Sequence, residues 1–308
     1  VTMGPKLTST SLAAFGPDGL LIDEFYTLRA RKAIIEGWLT KQVDGRIHGN
    51  MWTCGTPTFR CRHEVIVNLP GSDAIWGREI RELLAADEGT VIVGADSSGN
   101  QLRGLCHYVR NPDFTKEVIF GDQHQRNADS LGCSRAIAKS YLYAYLFGAG
   151  DAKLGQVLTG KANAAVGKKS RADFAKGIKG LSELKDKLSK VWKNTKFGGG
   201  EGKIPGLDGR PIYVASDHQA LNYLLQSAEG ITCKAAVSYA MAKIKEEGIE
   251  AEGRIFYHDE IAYQCKPEDA ERVGQILQEA FAEAPKWFNV DCMDGGAPCV
   301  GSSYADVH

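Results

Sequence analysis

Two apolar runs, the first of them β-branched, each end in acid. TVIVGA (residues 90–95) leads into Asp96, and RIFYH (residues 254–258) leads into Asp259 and Glu260. A carboxylate at the end of a buried strand sits where core meets solvent, and two that converge supply the oxygen ligands that hard divalent cations take. Two such ions about 3.5–4 Å apart stabilise the attacking and leaving oxygens of an in-line phosphoryl displacement. Taken singly, an Asp at a strand end is more often an ordinary turn residue. A second constellation lies between them: Arg135, Lys139 and Tyr143 are spaced four apart in SRAIAKSYLYAYLFGAG. Four residues advance one turn and a little more, so a guanidinium, an ammonium and an aromatic ring line one helix face over about 12 Å. That face suits a triphosphate held by the cations and a base or sugar packed on the ring, although an amphipathic surface helix could carry the same residues. His124, in the DQH just ahead, reads as a further phosphate donor or as a capping-loop histidine.

The elements that must position these groups follow from patterning. Residues 1–20 are rich in Gly, Pro, Ser and Thr and read as an irregular leading segment; residues 21–43 have helical apolar spacing, with LRARK making one face basic. Residues 45–70 read as short strands and turns, TVIVGA as a buried strand, and the chain from Leu102 as helix. A long helical region is predicted over about 128–192, with Gly148 and Gly150 ending the Arg135 helix. A glycine cluster at 198–202 breaks the chain, LDGRPIYVAS reads as a hairpin turn and strand, and helices are predicted at about 217–247. GRIFYHDEIAYQC then predicts two short strands meeting at His258 and Asp259.

With 308 residues, 43% of them hydrophobic, the chain can bury a sizeable core and form two subdomains. Its net charge of −1 means that a polyanion site must come from local clustering. Residues 153–196 are such a cluster, rich in lysine and interleaved with Phe174 and Trp192: a solvated helical face, or a surface that tracks phosphates. There is no apolar run of about 18 residues for a membrane span and no basic-then-apolar leader, which predicts a soluble intracellular protein. The eight cysteines form no CxxC pair and read as reduced thiols.

Three segments, in order, carry a family resemblance. VGADSSGNQLRGLCHYV resembles motif A of the family A DNA polymerases, the polymerase I class; RAIAKSYLYAYLFGAG resembles motif B, the fingers helix; YHDEIAYQC resembles motif C. GREIRELL before motif A, GDQH before motif B, and GLDGRPIYV and HQALNYLLQSAEGITCK before motif C also fit, and the C-terminal histidine is similar to that of phage replicative members. The resemblance covers about residues 25–308 and implies an α+β right hand: an antiparallel-sheet palm, helical fingers and a thumb largely missing. It divides the chain into a lead and first palm part (1–110), fingers (111–205) and second palm part (206–308).

It also implies roles. Asp96 and Asp259 are the metal carboxylates, with the Ser97 carbonyl as third ligand and Glu260 as accessory acid, around two Mg2+ ions that Mn2+ can replace. Arg135, Lys139 and His124 contact the triphosphate, Lys139 also being the proton donor to pyrophosphate; Tyr143 packs on the incoming sugar and base. Arg60, Asn222 and Gln226 are minor-groove contacts, His258 holds the primer terminus and His218 contacts DNA. The partners are primer–template DNA and dNTPs, with a separate thumb or exonuclease chain or a processivity factor as a further one, in the bacterial host's cytoplasm if the chain is phage-encoded. Gln101 stands where the family usually has Glu, which predicts weaker rejection of ribonucleotides. Phe147 replaces the usual Tyr but keeps the ring near the templating base, and Tyr143 follows the phage pattern tolerant of dideoxynucleotides. No DxE exonuclease motif precedes motif A. A single-subunit RNA polymerase and a non-catalytic DNA-binding subunit of a split polymerase are the rival readings.

Overall fold

The computed structural model describes residues 7–197 and 200–307. Residues 1–6, Gly198 and Gly199 of the glycine cluster, and the terminal His308 lie outside the described residues.

From Ser9 on, the leading segment is helical rather than irregular. Helix α1 (Ser9–Ala13) starts on a capping box in which Thr8 and Ser11 serve each other's backbone N–H. Helix α2 (Gly16–Lys41) begins with a proline in its first turn. Thr8, Ser11 and Pro17, which read as loop, serve the starts of these helices. Helix α2 stands largely clear of the rest: of its own residues only Gly19 and Trp38 are buried, and Leu20, Leu21, Ile22, Phe25 and Leu28 are exposed. Short strands follow, paired as β1 (Gln42–Val43) with β2 (Arg46–Ile47) and β3 (Asn50–Trp52) with β4 (Arg62–Glu64). Helix α3 (Gly77–Glu82) leads into β5 (Val91–Asp96).

The predicted long helical region is five helices. They are α6 (Gln123–Leu131), α7 (Arg135–Leu146), α8 (Asp151–Thr159), α9 (Ala164–Gly177) and α10 (Leu181–Asn194), preceded by α4 (Asn100–Val109) and α5 (Pro112–Phe120). Gly132, Gly148, Gly160 and Gly180, with φ of +64°, +77°, +76° and +95°, make four of the breaks, because such angles end an α-helix. Phe174 and Trp192 are buried in this lobe, Trp192 donating its indole N–H to the Val214 carbonyl at 2.7 Å. They are core, not rings interleaved with a basic surface.

The hairpin β6 (Gly202–Pro205) and β7 (Pro211–Val214) precedes α11 (Ala220–Glu246), the rod of the molecule, about 40 Å long. Leu221, Leu224 and Leu225 of its first half belong to the core of the helical lobe. Cys233, Ala236, Ala240 and Ile244 of its second half belong to the core under the sheet. That sheet, in the order β10 (Cys299–Gly301), β5, β9 (Glu260–Cys265), β8 (Ala251–Tyr257), is antiparallel throughout. Alternate side chains of β5 and β9 point to opposite faces. Val93, Ala95, Ile261 and Tyr263 pack with α11 and α12 (Ala270–Glu283), whereas Ile92 and Ala262 pack with Tyr304 and Val307. With both faces covered, the two central strands place their ends rigidly.

Candidate active site

Asp96 is the last residue of β5, and Asp259 lies in the tight turn between β8 and β9, where the strands close on the pair Tyr257–Glu260. His258 takes the left-handed φ of +58° that this turn needs. The Ser97 N–H donates to the Asp259 carbonyl at 2.8 Å, so the two acidic positions are neighbours on adjacent strand ends. Asn100 holds the Ser97 hydroxyl at 2.8 Å. Gly296 donates its N–H to the Asp96 carbonyl at 2.8 Å. A Cβ at Gly296 would lie 2.2 Å from an Asp96 carboxylate oxygen, so glycine leaves the room which that carboxylate occupies.

Negative charge is concentrated here. Burial, then the charge of Glu229, with Asp96 adding to it against the pull of Arg60, pushes the Asp259 carboxyl up to about 6. Two carboxylates on rigid strand ends, one held in that condition, are an all-oxygen donor set that fits a hard divalent cation. Among the described residues no group of three or more His, Cys, Asp or Glu side chains is arranged to hold a metal; the fit rests on the two aspartates and backbone oxygen. Glu260 lies directly across from Asp96 in register, yet its carboxylate is buried and accepts the Tyr304 hydroxyl at 2.9 Å, tying the site to the C-terminal turn.

Helix α7 faces this acid. It buries Ala138, Tyr141, Leu142, Tyr145 and Leu146 and leaves Arg135 and Lys139 exposed. Tyr143, one turn on, has its hydroxyl pushed above the ordinary phenol range by burial and then by the charges of Asp259 and Glu229. The stripe therefore runs from open cations down to the carboxylates. The His124 ring lies 6.3 Å from that of Tyr143, and the Phe147 ring 6.1 Å from it. Burial, then Arg135 and Lys139, lowers the affinity of His124 for a proton against the pull of Asp122. Arg135 is held at 2.7 Å by Asp122, which also caps α6 by accepting the Gln125 N–H at 3.0 Å.

On the other flank, Asn222, Gln226 and Glu229 recur along one face of α11. Arg60 pairs with Glu229, and the Gln101 amide donates to the other Glu229 oxygen at 3.0 Å. A Cβ at Gly230 would lie 3.1 Å from the Arg60 backbone, so glycine lets the Arg60 segment lie against the helix. Lys234 anchors that segment, donating to the Thr53 and Phe59 carbonyls at 2.9 and 2.8 Å. His258 packs edge-on to His63, ring centroids 5.3 Å apart, and burial followed by the Arg60 charge lowers its proton affinity. His218 stands apart, in the turn before α11, beside Ser216 and Gly148. Glu229, Asp122 and Gly296 are site residues that sequence reasoning missed; Glu229 had a weak signal in its place on the Asn222–Gln226 face and Asp122 in its place in the DQH, and Gly296 had none.

The family model for DNA polymerase family A matches residues 21–293. The chain belongs to DNA polymerase family A. Over 295 residues it is 30% identical to the DNA-directed DNA polymerase of Enterobacteria phage T3, and over 298 residues 30% identical to that of Escherichia phage T7, in each case 86% of this chain and 42% of the relative. DNA polymerase I of Aquifex aeolicus is 28% identical over 264 residues, 79% of this chain and 43% of that one. The chain thus spans about two fifths of these relatives' length. A solved structure described as the POL domain of Pol1 from M. smegmatis in complex with DNA primer-template and dNTP has the same fold. Its TM-score is 0.84 at 18% identity, over 100% of this chain and 57% of that one. The right-hand, α+β architecture expected of a family A chain is therefore the observed one. Among the described residues no helix is long and apolar enough to cross a membrane.

Proposed function

We propose that the chain is the catalytic portion of a template-directed DNA polymerase that adds deoxynucleotides to a primer 3′-end. The observation that carries this reading is the meeting of Asp96 and Asp259 on adjacent strand ends below the Arg135–Lys139–Tyr143 stripe. In this reading residues 111–205 are the fingers, and 1–110 with 206–308 form the palm and its lead.

Asp96 and Asp259, with the Ser97 carbonyl, would hold two divalent cations, Mg2+ with Mn2+ as substitute. When bound, these supply Lewis-acid stabilisation of the attacking and leaving oxygens. Arg135, Lys139 and His124 bind the triphosphate and offset charge developing on pyrophosphate, and Lys139 gives up the proton. Asp122, which holds Arg135 through Nε, competes with the triphosphate for it. Tyr143 packs on the incoming sugar and base, Phe147 lies toward the templating base, and Gln101 walls the sugar. Arg60 and His258 hold the primer end; Asn222 and Gln226 read the minor groove; His218 contacts DNA farther out. Glu260 acts from behind, as a buried accessory acid.

Primer extension by this chain tests the reading directly. Asp96→Ala and Asp259→Ala are each expected to abolish extension while DNA binding by fluorescence anisotropy is largely retained. Extension at the wild-type rate by either variant would refute the site. Wild-type extension with rNTPs in preference to dNTPs would move the assignment to RNA synthesis.

A further inference from the structure

Glu229 is a site residue to which the proposed catalysis assigns no role. Its side chain is 2% exposed, on a helix whose neighbouring positions are Ala228, Gly230, Ile231 and Thr232. Burying a carboxylate is costly unless it is paired and fully hydrogen-bonded, so its partners are informative. One oxygen takes Arg60, from 169 residues away in the chain, and the other takes the Gln101 amide, 128 residues away, at 3.0 Å. One anion thus fastens two otherwise unrelated segments.

The contact has a chemical direction. A glutamine side chain has a donor end and an acceptor end, and a carboxylate can only accept. Glu229 therefore fixes which way Gln101 faces: Nε2 toward α11, Oε1 away from it. That Oε1 is buried and has no hydrogen-bond partner among the described residues. A neutral glutamine in a sugar-walling position could otherwise turn its amide over to suit whatever bound; held by Glu229, it cannot.

We propose that Glu229 is a positioning residue for sugar selection, holding the Gln101 amide in one orientation and joining it to Arg60 at the primer end. This rests on the reading that the site incorporates nucleotides. A further consequence concerns Gln101→Glu: by itself it would set two carboxylates at hydrogen-bonding distance with no proton between them. It should therefore disorder the wall rather than restore the family's usual one.

The test is a cycle of four proteins: wild type, Glu229→Gln, Gln101→Glu and the exchange Gln101→Glu/Glu229→Gln. Each is measured for kcat/KM with dNTP and with rNTP, and for Tm. Each single variant is expected to lower the dNTP-to-rNTP ratio at least fivefold, and the exchange, which restores one carboxylate facing one amide, to return it to within twofold of wild type or above. Ratios that multiply independently, or losses that fall equally on dNTP and rNTP, would overturn the proposal and leave Glu229 a merely structural acid. If Glu229→Gln does not fold, Gln101→Glu and the exchange suffice: a fivefold recovery supports the coupling and an equal ratio overturns it. A wild type that incorporates no dNTP would instead refute the polymerase reading itself.

Discussion

Asp259 carries charge that its surroundings oppose. Its carboxyl is pushed up to about 6, from an ordinary value of 3.8, by burial and by Glu229. The folded state therefore binds this proton more tightly than the unfolded chain does, and the contribution of Asp259 to stability falls as pH rises through about 4 to 6. Above that window the metal-free protein carries the full penalty. A shift of this size corresponds to about 1–3 kcal/mol. Asp259→Asn is thus expected to raise the Tm of the protein in chelator at pH 7, with little effect at pH 4, while removing primer extension. An unchanged Tm at both pH values would mean that the charge is not strained. At this scale the sequence was partly legible. Asp96 and Asp259 stood out as candidates because each ends an apolar run. Glu229 did so only through its place on the Asn222–Gln226 face, because what makes it unusual is the approach of Arg60 and Gln101 from distant parts of the chain, which no local pattern records. Gly296 was invisible, its role being only to leave space.

At the scale of elements, Asp122 joins α6 to α7. It caps the first and holds Arg135 at the start of the second, on a surface where both side chains are about half exposed. Such an ion pair is worth about 0.2–1 kcal/mol, and in the proposed function a triphosphate competes with it. Asp122→Asn keeps a good capping side chain and weakens the restraint on Arg135. The expected result is a dNTP KM lower by up to about fivefold with kcat unchanged, read by steady-state extension; a raised KM would show that Asp122 orients Arg135 rather than competes for it. Elements were legible where periodicity was strong, as in β5, α7 and the β8–β9 pair. They were misread where cap residues look like loop residues, as with Thr8 and Pro17, and where glycines cut a periodic pattern, as between α6 and α10. Phe174 and Trp192 look like surface residues because a basic stretch contains them; their depth is set by partners such as Val214, beyond any local window.

At the scale of the whole molecule, α11 is shared between two cores, and the site lies along its middle turns. The arrangement explains how residues from every third of the chain reach one place. In the proposed function the exposed lysines of α8–α10 track single-stranded template. Lys168 and Lys169 are adjacent and exposed on α9. Replacing both by Gln is expected to weaken single-strand binding and to reduce the slope of log K against log salt by about 1.4, at roughly 0.7 for each phosphate that the variant leaves unneutralised. An unchanged slope would place the template elsewhere.

Helix α2 has a different bearing, on handling rather than chemistry. Leu21 and Phe25, one turn apart, are 67% and 58% exposed, with Leu20, Ile22 and Leu28 around them. An apolar strip of that kind is adhesive in water. Purified on its own, the chain should clump as concentration rises, seen as growth of faster-sedimenting material from micromolar upward. Leu21→Gln with Phe25→Gln should keep it dispersed without touching nucleotide incorporation, which makes that pair of substitutions the practical starting stock for every assay that needs concentrated protein.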